Sequence, residues 1–371
     1  MQFRSSKWSR LSAACTAAAL PLTMLALEPA QAASTNVTVV GYSVVGPAYK
    51  VLETDFQATP AGAGVTFTNS FGASDTETNN VAAGQPANIV NLSYEPNMDT
   101  LVGAGRISPS WALQERTIGG VNPAARFKRQ QTVYHTPGIV TDSVVAFAVR
   151  AGNPLGIKNW GDLIKSGVQV VTPNPVTSGS ARWNLLAGYA AQIAIGRTPN
   201  QGQDYLKALI SHTVAQPTSG SAALAAFIAG TGNVLLDYED DIDAAIAAGD
   251  QIQIVTPPET LLIENPIALT YTGLANPAAV AFYKYLFSTA GQTTFANLGY
   301  RSVLKSVWQS TESKFASFKK STDLITVESL DGWPSVNPQF FSPTVVFPSG
   351  NTTDPSSGIV TYLEKFAGST A

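Results

Sequence analysis

The segment best equipped for chemistry runs from Val170 to Trp183 and centres on Thr172-Pro173-Asn174-Pro175-Val176-Thr177-Ser178-Gly179-Ser180. A β-rich run ends at two prolines, a small polar loop follows, and an apolar helical run begins. The first turn of a helix carries backbone N–H groups with no carbonyl partner. Aligned peptide dipoles add partial positive charge there. Small side chains let an anion approach that backbone closely, so this strand–loop–helix is an anion cradle, and Ser178 can add a hydroxyl donor. The same pattern also fits plain helix capping by Ser178 or Ser180. Two similar segments favour the cradle: Gly72-Ala73-Ser74-Asp75 and Thr218-Ser219-Gly220-Ser221. Three small, hydroxyl-rich helix starts in one chain point to convergence on one anion.

The elements that must position these loops alternate in the α/β manner. Strands are expected at Val37–Val40, Val65–Thr68, Ile89–Leu92, Val144–Arg150, Val168–Val171 and Val234–Leu236. Helices are expected at Ala181–Ile195, Ser221–Ala229 and Ile242–Ala248. Asn276-Pro277 opens another, with Val280, Tyr283, Leu286 and Phe287 on one face. After Leu330 the chain is rich in Pro, Ser and Gly, including Pro338, Pro343, Pro348 and Pro355. It reads as an irregular wrap ending in a short helix near Val360–Phe366.

The chain has 371 residues, 44% hydrophobic and 13% charged, with a formal net charge of -3. That supports two domains with large cores and gives no basic excess for nucleic acid or acidic membranes. The first 32 residues read as a signal peptide: Arg4, Lys7 and Arg10, an apolar run from Leu11 to Leu27, then Ala30-Gln31-Ala32 before a mature start near Ala33. Removing Arg4, Lys7, Arg10 and Glu28 takes the net charge from -3 to -5. The one cysteine, Cys15, lies inside this leader. A lipid anchor at Cys15 is the alternative, but the apolar run continues well past it. Cleavage at Ala33 leaves no cysteine for disulfides, thiol catalysis or metal.

Other candidates have bland readings. His135 and His212 stand apart with no motif near either. Asp237-Tyr238-Glu239-Asp240-Asp241 lacks the rhythm of a calcium loop and reads as acids at a helix start. Asp75 reads as an exposed first-turn residue, Arg182 as an ion-pair partner or a distant influence on the anion, and Trp183 as core.

The chain resembles the sulfate- and thiosulfate-binding proteins of bacterial ABC importers. The resemblance rests on Arg150-Ala151-Gly152-Asn153-Pro154, on Gly156-Ile157-Lys158-Asn159-Trp160-Gly161-Asp162-Leu163, and on Thr172 through Asn184. Tyr285-Leu286-Phe287-Ser288, Gly291-Gln292 and Gly299-Tyr300-Arg301 add to it. It runs from about Val37 to Trp333. It implies an α/β, two-lobed type II periplasmic-binding-protein fold with a double-crossover hinge, closing on a dehydrated oxyanion. The implied boundaries are 1–32 signal peptide, 33–143 lobe I, 144–267 lobe II, and 268–371 lobe I again with the wrap. The implied donors are the Ser178 hydroxyl and backbone N–H groups of Gly179, Ser180, Ser74, Ser43 and the Ser219–Gly220 region. Tyr238 stands where the family has an indole, Ser180 where it has glycine, and Ser43 where it has aspartate.

Burying a dianion is costly unless it is fully hydrogen-bonded. Sulfate accepts only, so donors alone suit it; phosphate keeps a proton and needs an acceptor, for which Asp75 is the nearby carboxylate. The expected protein is an exported, monomeric, non-catalytic binder of sulfate or thiosulfate, without cofactor or metal, that serves an ABC permease and its ATPase. Other oxyanions, such as phosphate or molybdate, remain alternatives. So does a secreted ester hydrolase, though two histidines and no mature cysteine furnish it poorly.

Overall fold

The computed structural model describes residues 35–121, 137–318, 320, 323–341 and 358–366. The expected signal peptide, Cys15, His135, Pro343, Pro348 and Pro355 lie outside the described residues.

The fold is mixed α/β. Its strands are β1 (Asn36–Tyr42), β2 (Thr66–Gly72), β3 (Ile89–Asn91), β4 (Ile139–Arg150), β5 (Val170–Val171), β6 (Thr213–Ala215), β7 (Val234–Tyr238), β8 (Ile252–Val255), β9 (Thr260–Leu269), β10 (Arg301–Ser302) and β11 (Leu324–Ile325). They hydrogen-bond in the order β2-β1-β3-β9-β4-β7-β5-β6. β1 runs parallel to β2 and β3, and β5 runs parallel to β6 and β7. The antiparallel pair β4 and β9 joins these two parallel sets. β4 pairs with β9 up to Val144 and with β7 from Val145. β9 pairs with β4 up to Pro266 and with β3 from Ile267.

β4 starts at Ile139, five residues before the expected Val144, and is buried from Ile139 through Val149. β2 continues to Gly72 rather than stopping at Thr68. Only the end of β9, Pro266–Leu269, is expected as a short extended run, at one of two chain crossings, but the strand begins at Thr260. Its proline lacks a donor, yet the Pro266 carbonyl accepts from Leu92 N–H at 3.0 Å and Asn91 Nδ2 at 2.9 Å.

The Gly179–Ala194 helix is buried on almost every side, as its apolar sequence requires. On the Pro277–Leu286 helix the buried face is Ala279, Phe282, Tyr283 and Leu286, and Val280 is only half-buried. The tail departs from the irregular wrap expected. Trp333–Phe341 is helical with Pro338 inside it. Trp333 packs edge-on against Tyr94 (5.0 Å) and Trp183 (4.8 Å). The closing helix spans Ile359–Phe366.

Arg301 on β10 forms a buried two-point ion pair with Glu239, at 2.7 and 3.0 Å. This ties β10 to the helix that follows β7. Removing one partner of such a pair leaves the other charge uncompensated. Glu239→Ala is therefore expected to cost about 3–5 kcal/mol in denaturant unfolding. A loss under about 1 kcal/mol, the ordinary surface-pair range, would contradict that role.

Candidate functional site

Six segments meet where the parallel strands end, the usual place for a ligand in open α/β sheets. Ser43 follows β1, Ser74 follows β2 and Ser93 follows β3. Ser178 follows β5, Ser219 follows β6, and Tyr238 is the last residue of β7.

The loop after β5 is shaped locally. Asn174 accepts from Val176 N–H through its side chain (2.8 Å), and its carbonyl accepts from Ser178 N–H (2.9 Å). The helix then begins at Gly179 with Ser178 as its N-cap, but the Ser178 hydroxyl makes no capping bond. The buried Ser178 and Ser180 hydroxyls thus do not play the capping role that the sequence also allowed. Ser219 does: it caps Gly220–Ile228 by accepting from Ala222 N–H at 3.2 Å. Within the Ser219–Gly220 pair, Gly220 is the buried member.

The two parallel sets touch through these loops. Asp75 N–H donates to the Thr177 carbonyl (3.2 Å), and Ser221 N–H donates to Ser43 Oγ (3.3 Å). A Cβ on Gly179 would sit 2.6 Å from Ser93 Cβ and 2.8 Å from Tyr94 Cδ1, so glycine is needed for the approach. A Cβ on Gly220 would meet Val44 Cγ2 at 2.8 Å and Ser180 Oγ at 3.1 Å. The Tyr238 hydroxyl lies 2.7 Å from Ser93 Oγ. Ser43, Ser74, Ser178, Gly179, Ser180, Gly220 and Tyr238 thus share one buried neighbourhood, with Ser219 at its edge.

The hydrogen-bonding balance there is one-sided. Within the described residues, the buried N–H groups of Ser74, Gly179, Ser180 and Gly220 donate to nothing. The Ser74 hydroxyl is committed elsewhere: it donates to Asn97 Oδ1 (2.7 Å) and accepts from Ser93 N–H (2.9 Å). Burial pushes the Tyr238 phenol well above its ordinary range, so it keeps its proton and remains a donor.

Asp75 is not the exposed residue expected. Its Oδ1 accepts from Tyr94 Oη (3.0 Å) and Asn97 Nδ2 (2.7 Å), and its Oδ2 pairs with Arg182 at 2.6 Å. This carboxylate is engaged by three donors. Arg182 takes the pairing role considered for it, and also donates to the Pro175 carbonyl and Asn337 Oδ1. Trp183 is fully buried, and its Nε1 donates to the Ser93 carbonyl (2.9 Å). His212 caps a helix end, its Nδ1 lying 2.9 Å from the Ala208 carbonyl.

Sequence reasoning missed Ser93. It stands two residues past β3, as Ser74 stands two past β2. That repeated spacing was the available signal.

Behind Tyr238, Glu239, Asp240 and Asp241 form the first turn of Glu239–Ala247. They are buried, not solvated. Burial and the neighbouring Asp241 raise Asp237, and burial pushes Asp241 up to about 7.

The pattern of bacterial extracellular solute-binding proteins matches residues 37–301. The chain belongs to this family. Among relatives of these solute-binding proteins, the sulfate-binding protein of Synechococcus elongatus is 33% identical, with 82% of this chain and 83% of that protein covered. The thiosulfate-binding protein of Pseudomonas aeruginosa is 29% identical over 87% of this chain and 94% of its own. The solved sulfate-binding protein SubI of Mycobacterium tuberculosis is 38% identical, with a TM-score of 0.74, covering 82% of this chain and 99% of that one. The fold is the two-lobed one of periplasmic binding proteins; the periplasmic thiamin binding protein shares it at 17% identity and a TM-score of 0.59. No helix among the described residues is long and apolar enough to cross a membrane.

The acid pair sets a pH dependence. A carboxyl raised in the folded state favours folding while protonated. Its stabilisation is full below about pH 4, the ordinary aspartate range, and is lost as pH rises through about 7. The thermal midpoint of the anion-free protein is expected to fall between about pH 5 and about pH 8, roughly 2–4 °C for each kcal/mol lost. Asp241→Asn should flatten part of that fall. A midpoint that climbs over this range contradicts the assignment.

Proposed function

We propose that this protein captures sulfate between its two lobes and delivers it to an ABC importer, and that it does no catalysis. The observation that carries this reading is the set of four unpartnered amides at one junction whose nearby carboxylate, Asp75, is already engaged by three donors. Such a junction offers protons and has little to accept one. Sulfate, fully ionised near neutral pH, matches it. Hydrogenphosphate would bring a proton that needs an acceptor.

In this reading the donors are the N–H groups of Ser43, Ser74, Gly179, Ser180 and Gly220 (with Ser219 the alternative in that pair) and the hydroxyls of Ser178 and Tyr238. Helix starts supply the positive end of the field without a counter-charge in contact. Lobe I comprises 33–143 and 268–371, and lobe II comprises 144–267. The hinge lies where β4 and β9 exchange partners, near Val144–Val145 and Pro266–Ile267. Closure excludes water and strengthens each hydrogen bond. Residues 1–32 direct export and are removed near Ala33. The mature protein acts as a monomer, and a membrane permease with its ATPase takes the closed form. Thiosulfate is the second ligand to consider, supported by the likeness to the Pseudomonas aeruginosa protein.

Calorimetry with the mature chain tests the ligand. Sulfate should bind at one site per chain, thiosulfate should compete, and phosphate should compete poorly. Ser178→Ala should lose about 1.5–3 kcal/mol, on the order of ten- to a hundred-fold in affinity. Unchanged sulfate binding in that variant would remove Ser178 from the site.

A further inference from the structure

We infer that Ser93 is the positioning residue that aims the Tyr238 phenol proton at the anion, linking the two lobes through one hydroxyl pair. The inference rests on the oxyanion-binding reading above.

Ser93 is wholly buried, and its backbone is fixed from three directions. Its N–H donates to Ser74 Oγ (2.9 Å). Its carbonyl accepts from Trp183 Nε1 (2.9 Å) and from Asn265 Nδ2 (3.1 Å). Asn265 is itself held by Tyr42 Oη, which donates to its Oδ1 at 3.0 Å. The side chain has no room to wander either, because Gly179 lies against it: a Cβ there would come within 2.7 Å of Ser93 Oγ. Everything about Ser93 is set except the direction of its own hydroxyl proton.

That hydroxyl lies 2.7 Å from Tyr238 Oη, across the junction between the two parallel strand sets. A phenol O–H can turn its proton to either side of the ring plane, whereas a ring N–H cannot turn at all. Tyr238 therefore needs a neighbour to choose its orientation. Ser93 and Tyr238 hold two hydroxyl protons between them, and their mutual bond uses one. The Ser180 hydroxyl and the Asn265 side chain also lie beside the phenol, whereas the amides of Ser74, Gly179, Ser180 and Gly220 accept nothing, so the second proton chooses between those two neutral side chains and an anion. A charged oxyanion is a stronger acceptor than either neutral side chain. Its charge draws the free proton and polarises the pair, so each bond strengthens the other.

The test is a double-mutant cycle on the mature protein, with sulfate as the titrant. Ser93→Ala and Tyr238→Phe should each weaken sulfate binding by roughly ten-fold. The double variant should be no weaker than the worse single one, because Ser93 acts through the phenol. A merely structural role for Ser93 would cost as much in the Tyr238→Phe background as in the native one, and multiplying losses would overturn the inference. Ser93→Cys guards against a folding failure in the alanine variant. It keeps the side chain but offers a weak donor, and should bind more weakly than wild type. Ser93 variants that fold and match wild-type affinity would also overturn the proposal. If wild type itself does not bind sulfate, the ligand reading fails instead.

Discussion

A buried backbone N–H without an acceptor costs roughly 1–3 kcal/mol, and the junction between the two strand sets holds four of them. This constraint explains the rest of the arrangement. Helix starts cannot satisfy their own first amides. Placing several at the ends of β2, β5 and β6 and burying them together concentrates a demand for acceptors at one spot. Among the described residues, no carboxylate accepts from these amides. Asp75, the acid closest by, is consumed by Tyr94, Asn97 and Arg182. Burial pushes Asp237 and Asp240, on either side of Tyr238, towards the protonated form rather than presenting them as charges.

Glycine sets the distance at which the two halves meet. Gly179 against Ser93 and Gly220 against Val44 leave no space for a Cβ. The junction is then fastened at its edges by the Arg182–Asp75 pair and by Trp333, which packs on Tyr94 from one set and Trp183 from the other. The proline-rich tail thereby acquires a structural reason: its first helix covers residues from both sets.

Much of this was legible in the sequence because its signals are local. Strand, small polar loop and apolar helix at Thr172–Ala181 can be read within a dozen residues, and the same holds for Ser74 and Gly220. What escaped depends on distant partners. Ser93 gains its place from Trp183, Asn265 and Tyr238, none near it in the chain. Asp75 looked exposed because its ion-pair partner lies 107 residues away. The first half of β9 was hidden because it is held extended by pairing with β4, more than a hundred residues earlier in the chain. The tail helix was hidden for a related reason: Pro338 argues against it, and packing of Trp333 and Phe340 outweighs that.

Particular amides receive the anion in the proposed complex. Backbone 1H–15N spectra of the isotopically labelled mature protein, recorded with and without sulfate, address it residue by residue. Downfield amide proton shifts are expected at Ser74, Gly179, Ser180 and Gly220, saturating together at one equivalent. Saturable binding that leaves those four signals in place would contradict that role.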